Sequence, residues 1–329
     1  MPPKVSVVIP VFNRPAAVRR AIESVLAQTC QDFEIIVVDD GSTDETPAAV
    51  AGLADPRMTV IRHERNRGGS AARNTGIQAG SAPYVAFLDS DDEWLQSKLE
   101  RQLEVFDRAE EEVGLVYTGA EDIFADGSVT RYIPRRQVDL AHALLTSNVV
   151  GGMSVGMVRR SVLDSLGGFD ESLPASQDLD LWLRISERFR AEVVPDALVK
   201  VSKGNDCGRI TANSAGTTRG RELFRKKHGE KMRQHGVLHR YLRDSGWVYQ
   251  RAARDPALAR RRYLESVAVR PTAPLTYVLL VAACLPMSWL DTAARCKHAM
   301  TALLRSGYAA LLQRRGSARL AAASRRRMS

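Results

Sequence analysis

Residues 5–117 alternate between short runs rich in β-branched residues and longer segments with apolar residues at helical spacing. This alternation predicts an α/β fold with a parallel sheet, because consecutive parallel strands need a helix-length crossover between them. The strand-like runs are residues 5–9, 33–38, 58–61, 84–88 and 113–117. Helices are predicted to begin at Pro15, near Ser70 and near Trp94.

Polar residues follow three of these strands at the points where the strands end. Phe12 and Asn13 follow the first strand, Asp39 and Asp40 end the second, and acids at 89–93 follow the fourth. In an open parallel sheet, ligands bind outside the carboxyl ends of the strands, and we therefore expect these side chains to line one crevice. Asp and Ser also favour turns and caps, and for Asp39 and Asp40 that plainer interpretation stays open.

The acidic run contains Asp89, Asp91, Asp92 and Glu93. So much like charge at the end of an apolar strand costs free energy unless a cation neutralises it. Asp89 and Asp91 have the Asp-x-Asp spacing, which lets two carboxylates on one turn face a single hard cation. The pattern predicts Mg²⁺ or Mn²⁺ as a cofactor that bridges a diphosphate and stabilises the charge on the leaving group.

Five segments occur in an order and spacing that resemble those of the family 2 glycosyltransferases. They are residues 5–14 (VSVVIPVFNR), 33–44 (FEIIVVDDGSTD), 66–76 (NRGGSAARNTG), 84–92 (YVAFLDSDD), and 167–171 (GGFDE) followed by 177–184 (QDLDLWLR). The resemblance implies a GT-A fold, which is a Rossmann-like nucleotide-diphospho-sugar transferase domain. It also implies a nucleotide-diphosphate sugar as the donor and a hydroxyl group as the acceptor.

The resemblance further implies roles for individual residues. Asp40 would hold the base of the donor through a ring N–H, Arg73 would lie near the ribose or the diphosphate, and Asp91 would bind the metal. The residues implied to bind the nucleotide sugar are Pro10, Phe12, Asn13, Asp40, Arg73 and Asp89.

Asp178 matches the catalytic base of the family, although Gln177 stands where the family usually has Glu. A carboxylate within hydrogen-bond reach of the acceptor hydroxyl can remove its proton as the new bond forms. A single displacement from the face opposite the diphosphate inverts the anomeric centre. Because Asp178 comes just before the apolar Leu179 and Leu181, a helix N-cap is the alternative role.

Composition and spacing exclude several other classes of protein. The net charge is +9 and basic residues dominate beyond residue 200, but no aromatic residues interleave with them, and we therefore expect no nucleic-acid partner. The chain has no Gly-x-x-x-x-Gly-Lys-Ser/Thr loop, which argues against a nucleoside triphosphatase. The six His and four Cys residues show no metal-ligand spacing. With free thiols and no signal-peptide pattern before the first strand, a cytoplasmic location is expected.

We predict a GT-A domain at 1–218, a helical region at 219–312 and a basic, disordered tail at 313–329. The segment between Arg270 and Asp291 carries no charge, but prolines interrupt it, which favours a buried or interfacial helix over a membrane span. The basic amphipathic pattern of residues 292–312 is typical of peripheral contact with an anionic membrane, here the inner face of the plasma membrane. A solvated helical appendage is the alternative.

These features predict an inverting glycosyltransferase that transfers sugar to a saccharide or a lipid-linked acceptor in cell-surface polysaccharide synthesis. One alternative is a sugar-phosphate nucleotidyltransferase, which requires a Gly-rich basic loop after the first strand, and residues 10–14 do not supply one. The other is a non-catalytic module that binds sugar nucleotides or docks a partner. The intact set of Asp89, Asp91 and Asp178 argues against that module.

Overall fold

The computed structural model describes residues 2–203, 214–251 and 253–284, and the predicted segments at 292–312 and 313–329 lie outside this part. A mixed sheet forms the centre of the described residues. Its strands are β1 Val5–Val11, β2 Phe33–Asp39, β3 Met58–Arg62, β4 Tyr84–Phe87, β5 Asp92–Trp94, β6 Val113–Phe124, β7 Val129–Tyr132, β8 Gly156–Arg159 and β9 Arg190–Lys203.

Helices pack on the sheet and then form a separate run at the carboxyl end of the described chain. They are α1 Pro15–Leu26, α2 Thr46–Ala51, α3 Gly69–Ala79, α4 Lys98–Arg108, α5 Leu140–Leu144, α6 Arg160–Leu166, α7 Gln177–Ser186, α8 Ser214–Gln234, α9 Leu238–Arg251, α10 Pro256–Val269 and α11 Pro274–Ala282.

The strand order is β3-β2-β1-β4-β8-β6-β9-β5, with β7 paired to β6. The first four strands of this order are mutually parallel, as the strand–helix alternation predicts. Strand β8 then pairs antiparallel with both β4 and β6, and only β6 and β9 run parallel beyond it. The α/β prediction is therefore confirmed, with a parallel half that is extended by a mixed half.

Two predicted boundaries are wrong near the carboxyl ends of strands. Strand β1 continues through Pro10 to Val11. The pairing of β1 with β4 ends at Val8, and the missing N–H of Pro10 therefore costs that pairing nothing. The helix predicted from Trp94 begins at Lys98 instead, because residues 92–94 form β5 and pair with β9.

The mixed half was the harder part to predict. The 3₁₀ turn Met153–Val155 leads directly into β8. Strand β9 has 14 residues and was not predicted. It contains Pro195 and several charged residues, and it lacks the alternation that marks a strand. Strands β6 and β7 form a hairpin and pair antiparallel on either side of Gly127.

Helices α8 to α11 form the end of the described chain. Tyr249 and Tyr263 are fully buried where α9, α10 and α11 meet. No helix in the described residues is long and apolar enough to cross a membrane. The uncharged segment after Arg270 forms only the nine-residue α11 before the description ends at Cys284. Of the described cysteines, Cys30 and Cys284 are free thiols.

Gly76 lets α3 pack closely on β1, and substituting it tests this contact. A Cβ at Gly76 would lie 2.4 Å from Cγ1 of Val8, which is fully buried. We expect Gly76→Ala to lower the free energy of unfolding by about 1–3 kcal/mol in urea denaturation, because overpacking strains a filled core. Gly152→Ala is the control, since a Cβ there meets nothing within 4 Å. An equal loss in both variants would contradict the packing argument.

Candidate active site

Asn13 joins the carboxyl ends of β1 and β2. It has a φ of 50°, a left-handed conformation that Asn tolerates better than most residues. Its backbone N–H donates to Oγ of Ser42 at 2.9 Å, and its Oδ1 accepts from the backbone N–H of Thr43 at 2.9 Å. Phe12 is 40% exposed beside it. An open aromatic ring at this edge can stack against a nucleotide base.

Asp40 holds the glycine-rich loop against the end of β2. Oδ1 accepts from the backbone N–H of Arg67 at 2.9 Å, and Oδ2 accepts from that of Gly68 at 2.8 Å. His63 Nδ1 lies 2.7 Å from Oδ1, and Nε2 of the same ring lies 3.0 Å from Oγ1 of Thr75. Asp40 is only 3% exposed. The buried carboxylate thus positions the loop that leads into α3, apart from any role toward a base.

Each acid of the 89–93 run has a partner within the protein. Arginines pair with three of them and a buried serine hydroxyl with the fourth. The pairs are Asp89–Arg73 at 2.5 Å, Asp91–Arg14 at 2.9 Å, Asp92–Ser154 at 2.6 Å and Glu93–Arg20 at 3.3 Å. The inference that this charge density requires a metal is therefore corrected, because side chains of the protein already offset it.

Arg73 is the most buried cation of this edge, with 4% of its surface exposed. Its Nη2 donates to Asp89, and its guanidinium carbon lies 5.7 Å from the centre of the Phe169 ring. Within the described structure, Nε and Nη1 of Arg73 have no hydrogen-bond partner. Leaving buried donors unpaired costs about 1–3 kcal/mol each. An anionic ligand at this position would supply the missing acceptors.

Asp178 lies in the first turn of α7, after Ser176, which has a φ of 63°. Its Oδ1 accepts from the backbone N–H of Leu179 at 2.8 Å, and its Oδ2 accepts from Nδ2 of Asn148 at 2.9 Å. Ser176 holds the N-cap position, and the N-cap alternative for Asp178 is therefore wrong.

Burial raises the pKa of Asp178, and the negative charge of Asp89 raises it further, while Arg73 acts in the opposite direction. The fold therefore brings Asp178 within electrostatic range of the Arg73–Asp89 pair, although about 90 residues separate them along the chain. A carboxyl group with a raised pKa is suited to taking a proton.

The carboxylates at this edge of the sheet decide whether a divalent cation fits there. The described residues contain no group of three His, Cys, Asp or Glu side chains that could hold a metal ion by themselves. Mg²⁺ commonly takes one or two carboxylates and completes its shell with water and substrate phosphate. Asp91, with Asp89 beside it, fits a metal of this shared kind once the Arg14 pair opens.

Several residues that build the site were not predicted from the sequence. Asn74 accepts from the backbone N–H of Phe169 at 2.8 Å and donates to its carbonyl at 3.0 Å. It thereby joins α3 to the segment before α7. Asn74 and Arg14 lie inside the segments that resemble family 2 glycosyltransferases, and that resemblance could have pointed to them. Asn148 lies in no such segment.

Comparison with known proteins decides the family. The model for glycosyl transferase family 2 matches residues 6–167. The Escherichia coli UDP-Glc:alpha-D-GlcNAc-diphosphoundecaprenol beta-1,3-glucosyltransferase WfgD is 30% identical over 181 residues, which cover 55% of this chain and 69% of WfgD. The chain belongs to glycosyl transferase family 2. This membership favours the glycosyltransferase prediction over a sugar-phosphate nucleotidyltransferase.

Other relatives of this family 2 chain match just over half of it. The Rhizobium meliloti succinoglycan biosynthesis protein ExoO is 35% identical over 190 residues, which cover 54% of this chain and 53% of ExoO. An uncharacterized glycosyltransferase of Rickettsia felis is 33% identical over 189 residues, which cover 56% of this chain but only 31% of that protein. The chain therefore spans about a third to a half of these relatives.

Solved structures confirm the GT-A type of fold. Staphylococcus aureus TarS 1–349 in complex with UDP-GlcNAc has a TM-score of 0.56 at 18% identity, covering 85% of this chain and 91% of that one. The mannosyltransferase PcManGT of Pyrobaculum calidifontis, in complex with GDP-Man and Mn²⁺, has a TM-score of 0.56 at 19% identity and 86% coverage of both chains. At this identity the likeness concerns the fold alone.

Proposed function

We propose that this family 2 glycosyltransferase moves a sugar, with inversion, from a nucleotide-diphosphate donor to a hydroxyl of a saccharide or a lipid-linked acceptor. The observation that carries the proposal is the convergence of Asp178, with its raised pKa, on the Arg73–Asp89 pair. The names of WfgD and ExoO support a role in lipid-linked glycan or polysaccharide synthesis at the cell surface.

On the donor side, each implied residue has a part that its surroundings allow. Pro10 and the exposed ring of Phe12 border the base, and Asn13 and Asp40 fix the two loops that flank it. The free N–H groups of Arg73 bind diphosphate or ribose oxygens. Asp89 contacts the nucleotide sugar, and Asp91 holds Mg²⁺ or Mn²⁺. When bound, that ion stabilises the negative charge of the leaving diphosphate.

On the acceptor side, Asp178 is the general base. The acceptor oxygen attacks the anomeric carbon, the bond from that carbon to the diphosphate oxygen breaks, and the hydroxyl proton passes to Asp178. Asn148 holds Oδ2 of Asp178 at 2.9 Å and fixes the direction of the carboxylate. Because attack and departure occur on opposite faces of the sugar, the anomeric configuration inverts.

Thermal shift with UDP, GDP, dTDP, CDP and ADP, each with and without Mn²⁺, tests the donor site. A ligand at a hundred times its dissociation constant stabilises the folded state by about 2.7 kcal/mol. We expect one diphosphate to stabilise the protein only with Mn²⁺, and Asp91→Ala to lose this effect. Glu93→Ala is the control, because Glu93 pairs with Arg20 at the surface. No response to any diphosphate would overturn the donor site and favour the non-catalytic module.

Asp178→Asn tests the general base. We expect kcat to fall by about 10²–10⁴-fold while the diphosphate identified above still binds, since general base catalysis contributes about that much. In the wild type, kcat should decrease as the pH drops through the raised pKa of Asp178, because the protonated carboxyl cannot accept a proton. That acid limb should be absent in Asp178→Asn. The exposed Asp164→Asn is the control, and an unchanged acid limb in Asp178→Asn would assign the base to another residue.

We also propose peripheral contact with the anionic inner face of the plasma membrane, which would keep the protein beside a lipid-linked acceptor. Val278 and Val281 on α11 are 64% and 65% exposed, whereas Thr276 on the same helix is buried. Residues 214–284 contain fifteen Lys and Arg against five Asp and Glu. Apolar side chains on a basic surface match the apolar interior and negative head groups of a membrane.

Vesicle co-sedimentation tests this contact without any donor. We expect binding to vesicles of phosphatidylglycerol and phosphatidylcholine, weaker binding to phosphatidylcholine alone, and a further decrease at high salt. Val278→Asp should weaken binding about tenfold, because a charge then enters the apolar contact. The fully exposed Val138→Asp, in the sheet domain, serves as the control. Equal binding to both vesicle types, or equal loss in both variants, would contradict the proposal.

A further inference from the structure

Asp180 lies two residues after the proposed base, and its side chain is completely buried. Nε of Arg184, one turn further along α7, donates to Oδ2 of Asp180 at 2.7 Å. Two side chains of α8 approach the other oxygen. His228 Nε2 lies 2.8 Å and Lys227 Nζ 2.9 Å from Oδ1. A carboxylate offers only acceptors, and the bonded His228 nitrogen must therefore carry the proton.

The cluster extends from α7 to the loop that precedes it. Arg184 also donates to the carbonyls of Leu166 at 3.2 Å and Gly168 at 2.7 Å. Lys227 donates to Oδ2 of Asp170 at 2.7 Å. Asp180 thus joins α7 to α8, and its partners Arg184 and Lys227 join both helices to the 166–170 segment. Asn74 joins the same segment to α3 next to Arg73.

Stability alone does not explain a cluster of this kind. Burying charges costs free energy that their mutual attraction often only offsets, and apolar side chains of similar volume commonly serve as well. Burial alone would raise the pKa of Asp180, but the hydrogen bonds from His228 and Lys227 hold that pKa far below its usual range. Asp180 is therefore charged throughout the physiological range, and its bonds have a defined direction that apolar packing lacks.

We propose that Asp180, held by Lys227 and His228 of α8, is a positioning residue that fixes the first turn of α7 and with it the carboxylate of Asp178. The C-terminal helical region would then be part of the catalytic apparatus through α8. This inference rests on the proposed role of Asp178 as the base. It assigns Asp180 no contact with either substrate.

The chain offers a matched pair of lysines for the test. Lys227 and Lys231 lie one turn apart on α8, and both form ion pairs with the α7 region. Lys231 pairs at 2.6 Å with Glu187, which follows the carboxyl end of α7. Lys227→Met and Lys231→Met therefore remove the same charge from the same helix, but only the first disturbs Asp180.

A second pair of variants changes the histidine. His228→Phe keeps a ring beside Phe224, whose centre lies 4.6 Å from that of His228, but removes the donor to Asp180. His228→Gln restores an amide N–H donor. His228→Phe should therefore disrupt the hydrogen bond to Asp180, and His228→Gln should preserve one.

The first measurement is amide hydrogen exchange of the full chain, which needs no donor. Peptides over residues 176–184 should exchange about tenfold faster in Lys227→Met and His228→Phe, because local opening of that turn becomes easier. Strands β1 to β4 should be unchanged. Lys231→Met and His228→Gln should resemble the wild type in the 176–184 peptides.

The second measurement is release of nucleoside diphosphate from UDP-glucose, UDP-N-acetylglucosamine and GDP-mannose. Lys227→Met and His228→Phe should lower kcat by about tenfold, since small misplacements of a catalytic group are costly. The donor KM should stay within about twofold, because the donor site lies at the ends of β1, β2 and β4. A purely structural role would instead lower the stability of the protein and the fraction of molecules that are active. The exchange of the 176–184 peptides would then not rise selectively together with a lowered kcat and an unchanged KM.

The inference is overturned if Lys227→Met matches Lys231→Met in both exchange and kcat, or if exchange rises throughout the chain. If none of the three sugar nucleotides is turned over, the exchange pattern alone decides it. Failure of the proposed function looks different, because Asp178→Asn would then keep its kcat whatever the lysine variants show.

Discussion

The parallel pairing of β1 with β2 and β4 is the constraint on which the site depends. Its register places Val11 beside Asp39 and Val8 beside Phe87, and the chain therefore leaves the sheet at one edge three times. The side chains at these exits do more than face a ligand. Asn13 and Asp40 accept hydrogen bonds from backbone N–H groups of neighbouring loops. Buried backbone donors need such partners, and the polar edge therefore holds the loops that surround it.

Ion pairs within the protein offset the charges at this edge. Asp89 pairs with Arg73, and Asp91 pairs with Arg14. Neither of these carboxylates is as deeply buried as that of Asp180. In the proposed donor complex, Arg73 would bind diphosphate oxygens and Asp91 would hold the cation. Each charged side chain would then still have an oppositely charged neighbour when its present ion pair opens. This lowers the free-energy cost of opening those ion pairs.

The sequence predicts the parallel half of the sheet well, because residues 5–88 carry strong β-branched runs separated by helical ones. It also predicts which strand ends are polar. The structure brings Arg73, Asp89 and Asp178 together, and Asp40 holds the loop that leads into α3. It fails on β9, where no alternation marks the strand. The partners of the acids could not be predicted either. The pairing of Asp91 with Arg14 depends on how two loops approach each other, and no local pattern records that.

The side-chain contacts of the helical region could not be predicted from the sequence either. Composition shows only that residues beyond 200 are basic, yet two of those basic residues have a defined use. Lys227 and His228 are adjacent on α8, and both reach the same oxygen of Asp180. One carboxylate on α7 thus joins two helices, and it does so two residues from the proposed base. A helix that carries a catalytic group must keep its first turn in place, because that turn has the fewest backbone hydrogen bonds of its own. The buried ion cluster supplies from α8 the restraint that the helix end lacks.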